Sequence, residues 1–354
     1  MLTYTIRKDE MTKLVETLKD EYDVYGPIGK RTSHVFARLD DPSKLDLEYD
    51  STIMSPKKYF TPSNQVLMRV GLKNTTIEDT IQEILNRKPR ILLGVHSCDI
   101  NGINFLNRVF GGAYNDPYYE AYREITTIVG LNCLEPCKYG FCRSVNKNFV
   151  LEGYDLYLTD ISNTHYYVHV GSPRGDRVLT FASDLFKDAT EDDNELFKAA
   201  LRRKHENLPV SLHIDNIHET LDMSWDDEIW DELGTKCMNC GSCALVCPTC
   251  YCFDVNDRVD LAISKVERTR KWDTCLFYDF ALVAGNHNFR EDPPARLKYR
   301  FYHKFRGAIH EQGEIACTGC GRCIDACPAG ISIKDVLFRL QEYWAASPSP
   351  QGGL

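Results

Sequence analysis

The chain has 354 residues, 43% hydrophobic and 26% charged, with a formal net charge of −9. That length supports two or three domains with real hydrophobic cores, in the range of ordinary soluble proteins. The acidic balance argues against bulk nucleic-acid binding, and no run approaches the roughly 20 apolar residues of a membrane helix. The opening Met1-Leu2-Thr3-Tyr4-Thr5 does not read as a signal peptide. The 15 cysteines in so long a chain read as metal ligands in a reducing cytoplasm, not as a disulfide framework.

Met11, Leu14, Val15 and Leu18 mark one face of a helix within residues 8–22, and Tyr25-Gly26-Pro27 breaks that pattern. Residues 30–75 are mixed, with a β-like run from Val66 to Val70. Residues 76–86 predict a second amphipathic helix through Ile77, Ile81, Ile84 and Leu85. Arg90 to Val95 reads as a buried strand, 99–110 as a helix and Ile125 to Leu131 as a second buried strand. This is a βαβ pattern with parallel strands.

Cys98 and Cys133 sit just past these two strands, at the sheet edge where ligands bind in open α/β folds. Cys137 and Cys142 follow in a loop able to fold over the same spot. Cys98, Cys133, Cys137 and Cys142 are therefore a candidate cluster site, with Asp99 a possible oxygen ligand in place of Cys137; the alternative is four structural thiols.

Two alternating runs around Asn163-Thr164 predict a hairpin over 154–170. The acidic stretch from Asp188 to Glu195 reads as a solvated connector, and 195–235 as helical with a domain boundary between 185 and 220.

The strongest signal is a repeated motif. Cys237-x-x-Cys240-x-x-Cys243-x-x-x-Cys247-Pro248 recurs as Cys317-x-x-Cys320-x-x-Cys323-x-x-x-Cys327-Pro328. Three thiolates at this spacing wrap one corner of a [4Fe–4S] cluster, and the fourth reaches the other cluster. The assignment is crossed: Cys237, Cys240, Cys243 and Cys327 hold one cluster, and Cys317, Cys320, Cys323 and Cys247 the other. Zinc would need only four ligands, without the proline.

The motifs lie 69 residues apart, and the insert carries helical patterns (Leu261, Ile263, Val266; Leu276, Phe280, Leu282, Val283), which argues for an α-helical ferredoxin type. Cys250, Cys252 and Cys275 remain, as a spare metal site or as thiols packed around the clusters, the second being the preferred reading. Residues 268–306 carry nine Lys/Arg against four acids, a run that reads as a solvated face, as charge compensation for the clusters or as a dock for an acidic partner. A closing helix through Ile333, Val336, Leu337, Leu340 and Trp344 precedes a disordered tail. No dinucleotide fingerprint or P-loop is present, so no flavin or nicotinamide is expected in this chain.

The expected fold class is α+β. A partly parallel α/β domain (1–200) is followed by an α-helical ferredoxin domain with two [4Fe–4S] clusters (201–345) and a tail (346–354).

Thr52 to Lys58, Gly94 to Asp99, Asn132-Cys133 with Phe141-Cys142, Cys247 to Cys252, Trp272 to Cys275, Ala284 to Arg290 and the second motif together resemble a known family. It comprises the iron–sulfur beta subunits of soluble sulfhydrogenases (NiFe hydrogenases) and the equivalent iron–sulfur component of anaerobic sulfite reductase. Gly140 departs from that family, which often has a Cys-x-Cys ending at the position of Cys142. The resemblance implies a cytoplasmic, anaerobic electron-transfer protein within an oxidoreductase complex, not catalytic alone. It would relay electrons between hydrogenase small and large subunits on one side and an FAD/NAD(P)-binding flavoprotein subunit on the other. Sulfur or polysulfide reduction would be an associated activity. The alternative is the equivalent component of a dissimilatory anaerobic sulfite reductase, working with a siroheme subunit, or a stand-alone iron–sulfur reductase of sulfur species.

Overall fold

The computed structural model describes residues 3–346 except 74, 75, 113 and 263. In chain order, β1 (Thr3–Arg7) leads into α1 (Met11–Leu18), whose buried Met11, Leu14, Val15 and Leu18 are the apolar face read from the sequence. Tyr25-Gly26-Pro27 ends that helical pattern but lies inside a strand, β2 (Asp23–Lys30), paired with β3 (Ser33–Arg38). On its other side β2 is bonded to the sheet only from Asp23 to Tyr25, so Pro27 has no ladder partner to deprive there.

Next come β4 (Asn64–Gly71), β5 (Ile77–Asp79) and α2 (Ile81–Leu85). The helix expected over 76–86 is thus only its second half. Ile77 pairs with Val70 across the β4–β5 ladder, and the Asp79 carboxylate accepts from the Ile81 N–H (2.9 Å), starting the helix there.

The expected βαβ unit is present as β6 (Arg90–His96), α3 (Ser97–Phe110), α4 (Pro117–Glu124) and β7 (Thr126–Leu131). β6 and β7 are parallel neighbours. The hairpin is β8 (Leu156–Asp160) and β9 (His165–Val170); α5 (Pro173–Phe181) and β10 (Phe186–Asp188) follow. These strands form one eight-stranded sheet in the order β10-β1-β9-β8-β7-β6-β2-β3, parallel across β8-β7-β6-β2. Its core is apolar, with Ile91, Leu92, Leu93, Ile128 and Leu158 buried between the helices.

The acidic stretch read as a connector is β10 and the first turn of α6 (Glu191–Asn207). Thr190 and Asp193 form a reciprocal capping box, and acids in a first turn complement the helix dipole. After α6 the helices are short: α7 (Ile217–Met223), α8 (Ile229–Lys236) and α9 (Ser242–Leu245).

The insert between the motifs corrects the helical reading. Residues 253–272 form β11 (Phe253–Asp260) and β12 (Lys265–Trp272), and 276–283 hold a single turn and a two-residue strand. Ile263 lies outside the described residues. β12 pairs with β4, giving a second sheet in the order β11-β12-β4-β5, so chain from before and after position 200 shares one ladder. Spacing along 261–266 alone could not show a partner about 200 residues away.

Helix does follow, as α10 (Pro293–Tyr302), a π-helical segment (His303–Gly307) and α11 (Ala308–Gln312). The chain closes on α12 (Arg322–Asp325) and α13 (Ile333–Ala346). Ile333, Val336, Leu337 and Leu340 are buried in a second core with Trp230 and Phe301. The Trp344 side chain and the tail fall outside what is described. No helix among the described residues is long and apolar enough to cross a membrane.

Arg270 on β12 joins the sheets to α4. It is buried, paired with Asp116, and donates to Gln65 Oε1 on β4 (2.8 Å). Replacing it with Ala strands the Asp116 charge, which keeps only its two backbone donors, Tyr118 N–H and Tyr119 N–H. Loss of a buried partner then costs about 3 kcal/mol. Native-state hydrogen exchange of Arg270→Ala should show protection of β4 and β12 falling by about a hundredfold, with β6 and β7 unchanged.

Candidate iron–sulfur centres

The two cysteine loops repeat one backbone path. In the first, Asn239 (φ 50°) and Gly241 (φ 73°) flank Cys240; in the second, Gly319 (φ 65°) and Gly321 (φ 77°) flank Cys320. Each loop then enters a four-residue helix, α9 or α12. The left-handed residues turn N–H groups toward sulfur, as in Asn239 N–H to Cys237 Sγ (3.4 Å). Ile331 N–H likewise donates to Cys327 Sγ (3.3 Å). Such donors stabilise sulfur that carries negative charge.

The thiols group across the two motifs. Burial raises the Cys237 thiol first, and among its charged neighbours are Cys243, Cys327 and Cys240. Burial likewise raises Cys323, whose neighbours include Cys320, Cys247 and Cys317. Cys327 thus lies near Cys237 and Cys243 of the first loop, and Cys247 lies near Cys317 and Cys323 of the second and near Cys243 of the first. Among the described residues, no three His, Cys, Asp or Glu side chains close on a single-ion point. The donor set, two repeats of four cysteines, fits a [4Fe–4S] group.

Cys98, Cys133, Cys137 and Cys142 line one small, partly open cavity together with Cys320 of the second loop. Cys98 lies in the first turn of α3, after β6; Cys133 follows β7; and Asn101 ties the Cys142 loop to α3 through the Phe149 carbonyl (2.9 Å). Cys137 reaches the cavity from the Asp50 side, its Sγ bonded to the Asp50 carbonyl (3.4 Å). Burial pushes the Cys133 thiol up to about 12, against the pull of the Lys204 ammonium. Lys204 itself is buried and donates to Asn132 Oδ1 (2.5 Å).

The N-terminal cavity and the second loop touch closely. Phe141 N–H donates to Gly319 O (2.7 Å), and a Cβ on Gly319 would lie 2.6 Å from the Cys142 Cα. With its positive φ as well, only glycine fits there.

Asp99 is not a free oxygen ligand. Its carboxylate is fully buried and bound at both oxygens by Arg322 (2.7 Å each), with Ser55 Oγ a third donor at 3.0 Å. Arg322 sits between Cys320 and Cys323 and also donates to the Thr52 carbonyl (2.8 Å). Every polar edge of this pair is answered, which is why the carboxylate is unavailable to a metal.

The basic run is also not a plain solvated face. Arg270, Arg296, Arg300 and Lys304 are buried. Arg300 donates to the Cys243 carbonyl (2.9 Å), and Lys304 to Ala316 O (2.6 Å) beside Cys317. Burial pushes the Cys317 thiol up to about 12, with Lys304 opposing. Sequence reasoning missed Lys204 and Arg322 as parts of these centres. Lys204 carries no local signal on a charged helix; Arg322 could have been found from its place inside a motif.

Residues 236–331 match the family model of the 4Fe–4S dicluster domain. Across nearly its whole length the chain is similar to sulfhydrogenase 2 subunit beta of Pyrococcus furiosus. The identity is 34% over 325 residues, covering 92% of this chain and 94% of that protein. No solved structure matches.

Two expectations follow from the geometry. Arg322→Ala leaves Asp99 charged and buried, costing about 3–5 kcal/mol, so anaerobic preparations should yield little folded protein. The double variant Asp99→Asn/Arg322→Gln should recover more of it. His96, stacked on Tyr49 at 3.9 Å, has its imidazole pulled from 6.5 to about 3, first by burial and then by Arg322 and Lys204. The unfolded chain takes up that proton first, so this stability is present above 6.5 and lost as pH falls toward 3. Thermal melts of His96→Phe should lose part of the acid slope in that window.

Proposed function

Because the chain belongs to the sulfhydrogenase beta-subunit family, we propose that it is the electron-relay subunit of a cytoplasmic, anaerobic hydrogenase complex. It accepts and delivers electrons between a flavoprotein subunit that binds FAD and NAD(P) and nickel–iron hydrogenase subunits. Reduction of sulfur or polysulfide would be an activity of the whole complex. The chain is an iron–sulfur protein of the electron-transfer kind, with a 4Fe–4S dicluster domain in its C-terminal half.

The observation that carries the proposal is the contact between three cysteine groups. The cavity of Cys98, Cys133, Cys137 and Cys142 shares Cys320 with the second loop, and the nearness of Cys327 to Cys237 and of Cys247 to Cys323 supports a crossed assignment of the two loops. We assign Cys237, Cys240, Cys243 and Cys327 to one cubane of an α-helical ferredoxin-type unit, Cys317, Cys320, Cys323 and Cys247 to a second, and the N-terminal four to a third. A cubane supplies a one-electron couple whose potential answers to charge and hydrogen bonds around its sulfurs. The chain's own residues set those terms. Lys204 stands by the third group and Lys304 by the second, each opposing negative charge on buried sulfur. The Asp99–Arg322 pair holds the third group against the second loop. A cleft of about 650 Å³ lined by Asp50, Cys137, Tyr139 and Cys320 gives a partner's cofactor a route to this end.

Anaerobically purified chain should carry about twelve iron and twelve sulfide, and Cys98→Ala/Cys133→Ala about four fewer of each. Cys327→Ser should perturb the same paramagnetic signal as Cys237→Ser. Purified anaerobically from its own cells, the chain should bring flavoprotein and nickel–iron subunits. Recovery with a siroheme protein, or sulfite reduction by the chain alone with an artificial donor, would overturn the hydrogenase assignment.

A further inference from the structure

β11 is a sheet edge without the usual protection. It ends the second sheet and is bonded to β12 on one side only. All eight of its residues, Phe253 to Asp260, are exposed. Natural sheets guard such an edge with proline, lysine, a bulge or a very short strand. β11 has no proline or lysine, and its pairing with β12 runs without a shift from Phe253–Trp272 to Asp260–Lys265. The opposite edge of the sheet, β5, is only three residues long. Phe253, Val255 and Val259 alternate along one face of β11, all of them exposed. A long exposed edge with an apolar stripe is a template for another strand.

Charge selects the occupant. In an antiparallel pair, opposed residues share a face, with Cβ atoms about 5 Å apart. A second copy of β11 laid antiparallel, with the two-fold axis at Asn256, opposes Asp254 to Arg258 twice and Phe253 to Val259 twice. Val255 then faces Asp257, whose charge Arg268 already answers within the sheet (2.7 Å). Among the described residues, Arg258 has no ion-pair partner of its own. The Asp254 carboxylate is bound only by neighbours on its own strand, the Val255 N–H (2.8 Å) and Asn256 Nδ2 (2.6 Å). The registers on either side fail. With the axis at Asp257, Asp254 meets Asp260 and Asp257 meets its own copy. With the axis at Val255, Arg258 meets no acid. Like charges directly opposed destabilise a ladder, and opposite charges support it.

We propose that β11 is a contact surface between two copies of this chain, which join edge to edge with Asn256 on the two-fold axis. The sheet β5-β4-β12-β11 then runs on into the copy without a break. The pairing satisfies the free Arg258 with the partner's Asp254 and covers Phe253 of one copy with Val259 of the other. It does not depend on the electron-relay reading or on which cysteines hold iron.

The test uses the full chain, purified anaerobically with its iron, in sedimentation velocity over a concentration series. The wild type should pass from monomer to dimer as concentration rises. Arg258→Asp and Asp254→Arg should each raise the dimer dissociation constant about tenfold, since each turns two attractive pairs into repulsive ones. The double variant Asp254→Arg/Arg258→Asp restores opposite charges in the same register and should bring the dimer back. Hydrogen exchange of the 253–260 amides should slow with concentration in the wild type and the double variant, and stay fast in the single ones. A monomer at every concentration, a dimer indifferent to the single changes, or no recovery in the double variant would overturn the proposal. So would protection of β11 that appears only when another protein is added, which would make the edge a dock for a different chain. Iron and sulfide counts on the same samples report on the relay reading separately.

Discussion

The salt bridge between Asp99 and Arg322 is the constraint on which the arrangement of the centres depends. Both side chains are essentially without solvent, and each donor and acceptor is used within the pair or by Ser55 and Thr52. Such a pair adds little net stability over an apolar contact, but it admits one geometry. One member opens α3 beside Cys98; the other lies inside the second cysteine loop. Fixing them fixes the N-terminal sheet edge against the C-terminal domain, and the Phe141–Gly319 hydrogen bond and the missing Cβ at Gly319 then let the loops meet.

Around this joint the chain distributes charge in a consistent way. The protein is acidic as a whole, yet the interiors beside cysteine are cationic: Lys204 near Cys133, Arg300 near Cys243, Lys304 near Cys317 and Lys57 at the Cys250 carbonyl (2.8 Å). Buried cations are costly in a dry interior unless something negative answers them. In the proposed assignment, thiolates and the clusters they would hold are that answer, which joins cations and cysteines in one design.

Much of this was readable from the residues. β6 and β7 announce themselves as continuous apolar runs, and their parallel pairing puts Cys98 and Cys133 at one edge. The two cysteine motifs needed no structure to be noticed. What could not be read is long-range. The pairing of β12 with β4 gives no local pattern, because β11 is exposed along its length and β12 mixes charge with β-branched residues. The burial of Arg270 and Arg300 is equally hidden, since a charged run looks the same on a surface and around a cluster. The capping box at Thr190 and Asp193 was legible, but acidity drew attention away from it.

The distance in sequence between Asp99 and Arg322 has a consequence for synthesis. The two are 223 residues apart, with Arg322 made the later. While the ribosome is still working, the N-terminal half emerges with a carboxylate destined for a dry interior and no counter-ion yet made. Asp116 waits in the same way, 154 residues ahead of Arg270. N-terminal segments can collapse early, but the joint closes only after the second cysteine motif, which carries Arg322, has left the exit tunnel. If the N-terminal cysteines hold a cluster as proposed, the cavity that Cys320 helps to line is complete only once the second cysteine loop has been made.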